Sequence, residues 1–175
     1  MTDLRYPIGV FEWNGEVNVD QLQTWIQDIE ELPVQLRLAV KGLNKEQIDT
    51  PYREDGWTIR QVVHHVADSH MNSYIRFKLA LTEDQPTIKP YEEALWAELA
   101  DSTTLPVETS LALLDALHYR WTTLLRSLKP ADFERAFVHP VNGVLLLSQA
   151  TGLYSWHGRH HLAHINNLKE QLGWD

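Results

Sequence analysis

The sequence predicts an all-α fold: a four-helix bundle carrying a short extra helix and a small β-hairpin. Three observations point there. Four long stretches place apolar residues at helical spacing, one Asn-Gly step stands between two apolar runs, and no internal repeat or low-complexity tract suggests another architecture.

The first helix is expected over Asp20–Leu43, where Leu22, Trp25, Ile26, Ile29, Leu36, Ala39, Val40 and Leu43 recur at largely helical intervals and Pro33 marks a kink. After a loop, NKEQIDTPYREDG, the longest helix runs from Thr58 to about Thr82, with Thr58 as N-cap and Ile59, Val62, Val63, Val66, Tyr74, Phe77 and Leu81 as its apolar set. The two prolines of EDQPTIKP break the pattern, and YEEALWAELAD resumes it as a short helix. Leu111, Leu114, His118, Trp121, Leu125 and Leu128 mark a third long helix, closed by Lys129-Pro130. In RAFVHPVNGVLLL, Asn-Gly gives a hairpin signal, while Pro140 confines one strand to a short or edge position. The last helix starts near Ser148 and contains Gly152 and Gly158, both unfavourable in a helix interior.

A chain of 175 residues suits a single domain spanning 1–175 with a core of its own. Its net charge of −9 and lack of a Lys/Arg cluster exclude the basic footprint that nucleic acid requires. With no cysteine, the chain has no disulfide and no thiol nucleophile or thiolate ligand of its own. Neither a charged start leading into an apolar run nor a stretch of roughly 20 apolar residues is present. The expectation is a soluble cytoplasmic protein whose partner is a small molecule, not a membrane.

SWHGRHHLAHI, residues 155–165, holds four histidines in eleven residues. At about 100° per residue, Ala150, Tyr154, His157, His161, Ile165, Leu168 and Leu172 form one stripe of the last helix, so His157 and His161 belong to its core face. Imidazoles at i and i+4 stand one above the other and can converge on one ion. A third ligand should come from another helix, and VVHHVADSH offers His65, which has Val62 and Ser69 one turn away and precedes inward Val66. Its line continues through Ser69, Asn72 and Arg76, polar groups that suit the wall of a polar cavity. His118 lies alone on its apolar stripe and reads as a hydrogen-bonded core residue, behind the ligands if it reaches them. His64, His70, His160 and His164 read as flank or surface residues, and His139 as solvent-exposed in the hairpin.

The stretches TPYREDGWTIRQVVHHVADSHMNSYIRFKLALTE, YPIG, YEEALWAELADS and GLYSWHGRHHLAHI together resemble the YfiT family of proteins designated metal-dependent hydrolases, within the DinB superfamily of four-helix bundles. The resemblance covers nearly the whole chain. It implies a DinB-like bundle, and an ion held by the second histidine of the HH pair and by two histidines four apart on the last helix. These are His65, His157 and His161, the three that the core-face reading selects. It further implies a homodimer with one divalent ion per chain, zinc being favoured and nickel also accommodated.

Three protein ligands leave a coordination position open, the pattern of a catalytic zinc site. Either water or a low-molecular-weight thiol could be the nucleophile there. No HExxH-type general base is present, and Asp68, one turn from His65, leans towards the His64 face, which slightly favours a nucleophile that the metal alone activates. The resemblance agrees in part, because YfiT-like proteins are linked to bacillithiol S-transfer. Asp68, Ser69, Asn72, Arg76 and His118 are the candidate residues for binding substrate or orienting ligands. A metal-binding module without catalysis and a helical domain with merely structural histidines remain the alternatives from other classes.

Overall fold

The computed structural model describes residues 4–174. Four long helices build it: α1 (Val19–Val40), α3 (Ile59–Thr82), α6 (Val107–Ser127) and α7 (Leu147–Leu172). Three short ones lie in the connections: α2 (Lys45–Ile48), α4 (Glu93–Trp96) and α5 (Ala100–Thr104). Strands β1 (Ala136–His139) and β2 (Gly143–Leu146) pair antiparallel, with Ala136 opposite Leu146 and His139 opposite Gly143. No described helix is long and apolar enough to cross a membrane.

Each long helix packs mainly against two others: α1 on α7 and α6, and α3 on α6 and α7. The consecutive pairs α1/α3 and α6/α7 therefore sit across the bundle from one another, where a simple up-down-up-down chain would set every consecutive pair side by side. The α2 segment makes the first of these longer crossings, and the connection that carries the hairpin makes the second.

Local chemistry explains most boundaries. Thr58 caps α3 in a reciprocal capping box with Gln61: its hydroxyl accepts from the Gln61 N–H, and Gln61 Oε1 accepts from the Thr58 N–H. Asn44 and Gln47 repeat the arrangement at α2, a helix where the sequence reading expects loop. The expected single helix in YEEALWAELAD divides into α4 and α5, since neither piece buries a sufficient apolar face to continue through the other. Strand β1 stops at His139, just before Pro140, and Gly143 takes φ +76°, the left-handed value that the turn requires.

The unfavourable glycines of α7 have a steric reason. A Cβ on Gly152 would lie 2.8 Å from the Trp25 ring, and one on Gly158 would lie 2.5 Å from Leu32 Cδ2, so both allow α1 to approach α7 closely. Leu172, assigned to the inward stripe by periodicity, is exposed, because α7 outlasts its neighbours at that end. Pro33 lies inside α1, which continues helically to Val40 and buries the ring.

Two apolar clusters fill the bundle. Leu32, Leu36, Val62, Val66, Leu114 and Ile165 belong to one, and Ile26, Ile29, Phe77, Trp121, Ala150 and Tyr154 to the other. Where they meet, the interior is lined by imidazoles.

Candidate metal centre

Thr58 fixes the start of α3, which places His65 nearly two turns in, beside core residues Val62 and Val66. On α7, His157 follows Tyr154 and His161 precedes Ile165 on the same face. The ring nitrogens of His65, His157 and His161 fall within 4.8 Å of one another. His65 Nε2 and His157 Nε2 are 3.2 Å apart, and the His161 ring centroid is 4.8 Å from that of His65 and 4.5 Å from that of His157. Two nitrogens bound at roughly 2.0–2.1 Å to one tetrahedral ion stand about 3.3 Å apart, so this donor set fits a single ion with little rearrangement.

Burial, and then the repulsion of neighbouring imidazoles, holds the pKa of His157 and His161 well below the ordinary value; burial brings His65 to about 4. All three are neutral near pH 7, the state in which imidazole offers a lone pair to a metal.

A cleft of about 560 Å³ opens on His157. Ser69, Arg76, Tyr91, His139, Asn142 and Tyr154 are among its walls. Its mouth explains why His157 is half-buried while His65 and His161 are buried. The hairpin reaches this mouth because Arg135 donates to the carbonyls of Ala80 and Glu83 at the end of α3, and the Ile88 and Val138 main chains are bonded. Arg76 lies across the cleft, its guanidinium 3.5 Å from Tyr154 Oη and 3.4 Å from the Lys89 carbonyl. The Tyr91 hydroxyl, beside Ser69, is buried without a hydrogen bond of normal geometry, and burial pushes its pKa up.

The other residues singled out from the sequence divide. Ser69 and Arg76 line the cleft. Asn72 turns back along its own helix to donate to the Asp68 carbonyl at 2.9 Å. Burial, then the nearby Asp101, raises the Asp68 pKa to about 6, and among the described residues no hydrogen bond joins its carboxylate to His65, His157 or His161. His118 is buried at 1% exposure and bonded at both ring nitrogens, to the Ile29 carbonyl and to His70.

The histidines assigned to the flank or surface prove to be inside. His64 is buried because α5 and α6 cover it: its Nε2 donates to the Leu105 carbonyl at 3.1 Å and its Nδ1 accepts from the Ser110 hydroxyl at 2.7 Å. The HH pair thus splits, one ring into the scaffold and one into the centre. His160 and His164 are buried because the segment before α1 and the loop after α2 lie over them. Trp156 Nε1 donates to the Gly9 carbonyl at 3.2 Å, Tyr6 leans on His160, and Tyr52 stacks on His164 with centroids 4.0 Å apart. His139 is half-buried at the cleft rim, not solvent-exposed. His70 is fully buried, with Nε2 3.1 Å from His157 Nδ1. His70 follows Val66 by four residues and precedes Phe77 by seven, so it stands on the buried stripe of α3, a signal that its assignment to the flank overlooked. His118, a buried imidazole that needed a partner, was a second signal.

Nitrogens of His160, His161 and His164 also lie within 4.8 Å of one another. This second group shares His161 with the first, but all three residues come from α7 alone. His160 Nδ1 is buried without a partner.

Comparison with known proteins agrees with this architecture. The model of the DinB superfamily matches residues 28–165. A relative from Bacillus mycoides (strain KBAB4), named "Putative metal-dependent hydrolase", is 61% identical over 174 residues, covering 99% of this chain and 100% of its own. A relative of the same name from Bacillus cereus (strain B4264) is 60% identical over the same share of each chain. Among solved structures, YfiT from Bacillus subtilis, described as a probable metal-dependent hydrolase with an unusual four-helix bundle topology, superposes with a TM-score of 0.96 at 53% identity, covering 98% of this chain and 99% of that one. The four-helix bundle protein TT2238 shares the fold, with a TM-score of 0.59 at 19% identity over 83% of this chain and 98% of that one. The crossed order of the long helices, the matched superfamily model and the near-complete overlap with YfiT lead to one conclusion: the chain belongs to the DinB superfamily, in its YfiT family.

Proposed function

We propose that this protein is a metal-dependent enzyme whose ion is held by His65, His157 and His161. The observation that carries the reading is the convergence of three neutral imidazoles from two helices, one of which, His157, lines a cleft. An ion held this way supplies a Lewis acid and an open position at which a water or thiol nucleophile becomes acidic near neutral pH. Zinc fits the ligand set first, and nickel second.

The chain's own residues do the rest. Arg76 presents a guanidinium to the cleft, suited to a carboxylate of the substrate or co-substrate. Ser69 and the Tyr91 hydroxyl offer further hydrogen bonds in the same wall. Asp68 and Asn72 act at most on the helix that carries His65, and the lack, among the described residues, of a carboxylate bonded to the centre favours a nucleophile needing no protein base. On that chemistry, transfer of a low-molecular-weight thiol of the bacillithiol type to an electrophile is slightly preferred to hydrolysis, the activity in the relatives' names. A homodimer and a cytoplasmic setting belong to the same proposal.

The test compares turnover of activated esters and amides in water with consumption of electrophiles such as chloroarenes and epoxides in the presence of bacillithiol, cysteine or glutathione. Thiol-dependent turnover that vanishes on chelation and returns with zinc or nickel supports transfer. Thiol-independent turnover with the same metal dependence supports hydrolysis. Stoichiometric ion binding with neither activity would leave a metal-binding module and overturn the enzyme reading.

A further inference from the structure

Pro33 has a consequence inside α1. In an α-helix the N–H of residue 33 would donate to the carbonyl of residue 29, and proline has no N–H. The Ile29 carbonyl, in a residue only 1% exposed, is therefore without its helical donor. His118 of α6 supplies one, with Nδ1 at 2.5 Å from that oxygen.

A carbonyl can only accept, and a neutral imidazole has one donor nitrogen and one acceptor nitrogen. The His118 proton is thus on Nδ1, and its Nε2 accepts. His70 Nδ1 lies 2.9 Å from His118 Nε2 and must donate, leaving His70 Nε2 as acceptor. His157 Nδ1 lies 3.1 Å from His70 Nε2 and must donate in turn. Each link leaves one arrangement, and the last leaves the His157 lone pair on Nε2, the atom 3.2 Å from His65 Nε2.

We propose that His118 and His70 are positioning residues: with the carbonyl that Pro33 leaves free, they form a relay fixing the tautomer and ring orientation of His157, so that Nε2 faces the centre. The inference rests on the three-histidine centre proposed above. Such partners raise the basicity and order of a ligand imidazole, and losing one typically weakens metal affinity 10–100-fold. A shorter counterpart serves His161, whose Nδ1 lies 3.4 Å from His164 Nδ1, with His164 Nε2 3.4 Å from the Arg5 carbonyl.

The first test needs neither metal nor variant. Long-range proton–nitrogen spectra of the metal-free protein, labelled with 15N histidine and recorded near pH 7.5, should show His118, His70 and His157 each protonated on Nδ1. A His157 protonated on Nε2 would overturn the relay even if the protein binds an ion. The second test titrates zinc against a chromophoric chelator. His118→Met fills the same volume without polar atoms and should weaken binding about 10–100-fold. His118→Gln keeps one donor for Ile29 and one acceptor for His70 and should bind within about threefold of the original protein. Equal affinity of the two variants would contradict the proposal. A protein that binds no zinc but shows the three Nδ1 protons would sink the metal-centre reading and leave the relay standing, so the two failures are distinguishable.

Discussion

Helix α7 carries two pairs of histidines four residues apart, His157/His161 and His160/His164, and all but half-buried His157 are buried. Their spacing and chemistry are identical, yet their neighbours differ. The first pair meets the imidazole of His65 across the bundle, and His157 borders the cleft. The second meets aromatic rings, and His164 also a main-chain carbonyl. A ligand pair is thus defined by what another element brings to it, not by i, i+4 spacing alone. Helix α3 gives the same lesson, since of its adjacent His64 and His65 only the second reaches the centre.

The comparison can be broken first with acid. Burial lowers the pKa of His65, His118, His160 and His164 to about 4, whereas the unfolded chain should titrate near 6.5. A group whose folded pKa is depressed contributes stability that is fully present above the unfolded value and is lost as pH falls through the folded one. The metal-free protein should therefore lose stability steadily from about pH 6.5 down to 4, by roughly 1.4 kcal/mol per pH unit for each proton taken up on unfolding. Both pairs contribute to this loss, but only the first belongs to the proposed centre. His160→Phe should accordingly soften the acid loss while leaving metal content unchanged. Urea unfolding at pH 7 and pH 5 measures the first effect, and an unchanged pH dependence would show that His160 titrates normally in the folded state.

A smaller effect concerns the contact between α1 and α7, which sets the distance from the Ile29 carbonyl to the centre. Gly158→Ala should cost about 1–3 kcal/mol, because the added carbon meets Leu32 in the core. Gly152→Ala should cost less, because half-buried Trp25 has room to shift. Thermal unfolding would rank the two, with about 2–4 °C for each kcal/mol.

On the cleft side, Arg76→Leu should raise KM for an anionic thiol or substrate more than it lowers kcat. Equal KM for variant and original would remove Arg76 from substrate binding. The smallest change belongs to Pro33→Ala, which restores a helical donor to the Ile29 carbonyl. Because that oxygen can accept twice, zinc affinity should fall by less than about tenfold, below the range for loss of an outer partner.

Much of the bundle is legible from periodicity, because each long helix turns one apolar face inward and the Thr58 cap and the Asn142-Gly143 turn are local signals. The order in which those helices pack is not, since periodicity says which face is buried but not by which neighbour. His65, His157 and His161 share faces with Val62, Tyr154 and Ile165, so the spacing of core residues carries their inward direction. His160 and His164 escape such reading, because what buries them is the irregular chain around Tyr6 and Tyr52. Tyr91 escapes it because it lies in the irregular connection after α3, where no period applies, whereas His70 shares a face with Val66 and Phe77 and was legible.

The most direct test of the metal centre is elemental analysis of the protein purified without a histidine tag, beside His65→Ala, His157→Ala, His161→Ala and His160→Ala. One divalent ion per chain should be found in the original protein and in the His160 variant, and essentially none in the other three. A metal-free original protein, or loss of the ion in the His160 variant alone, would contradict the assignment of the centre to His65, His157 and His161.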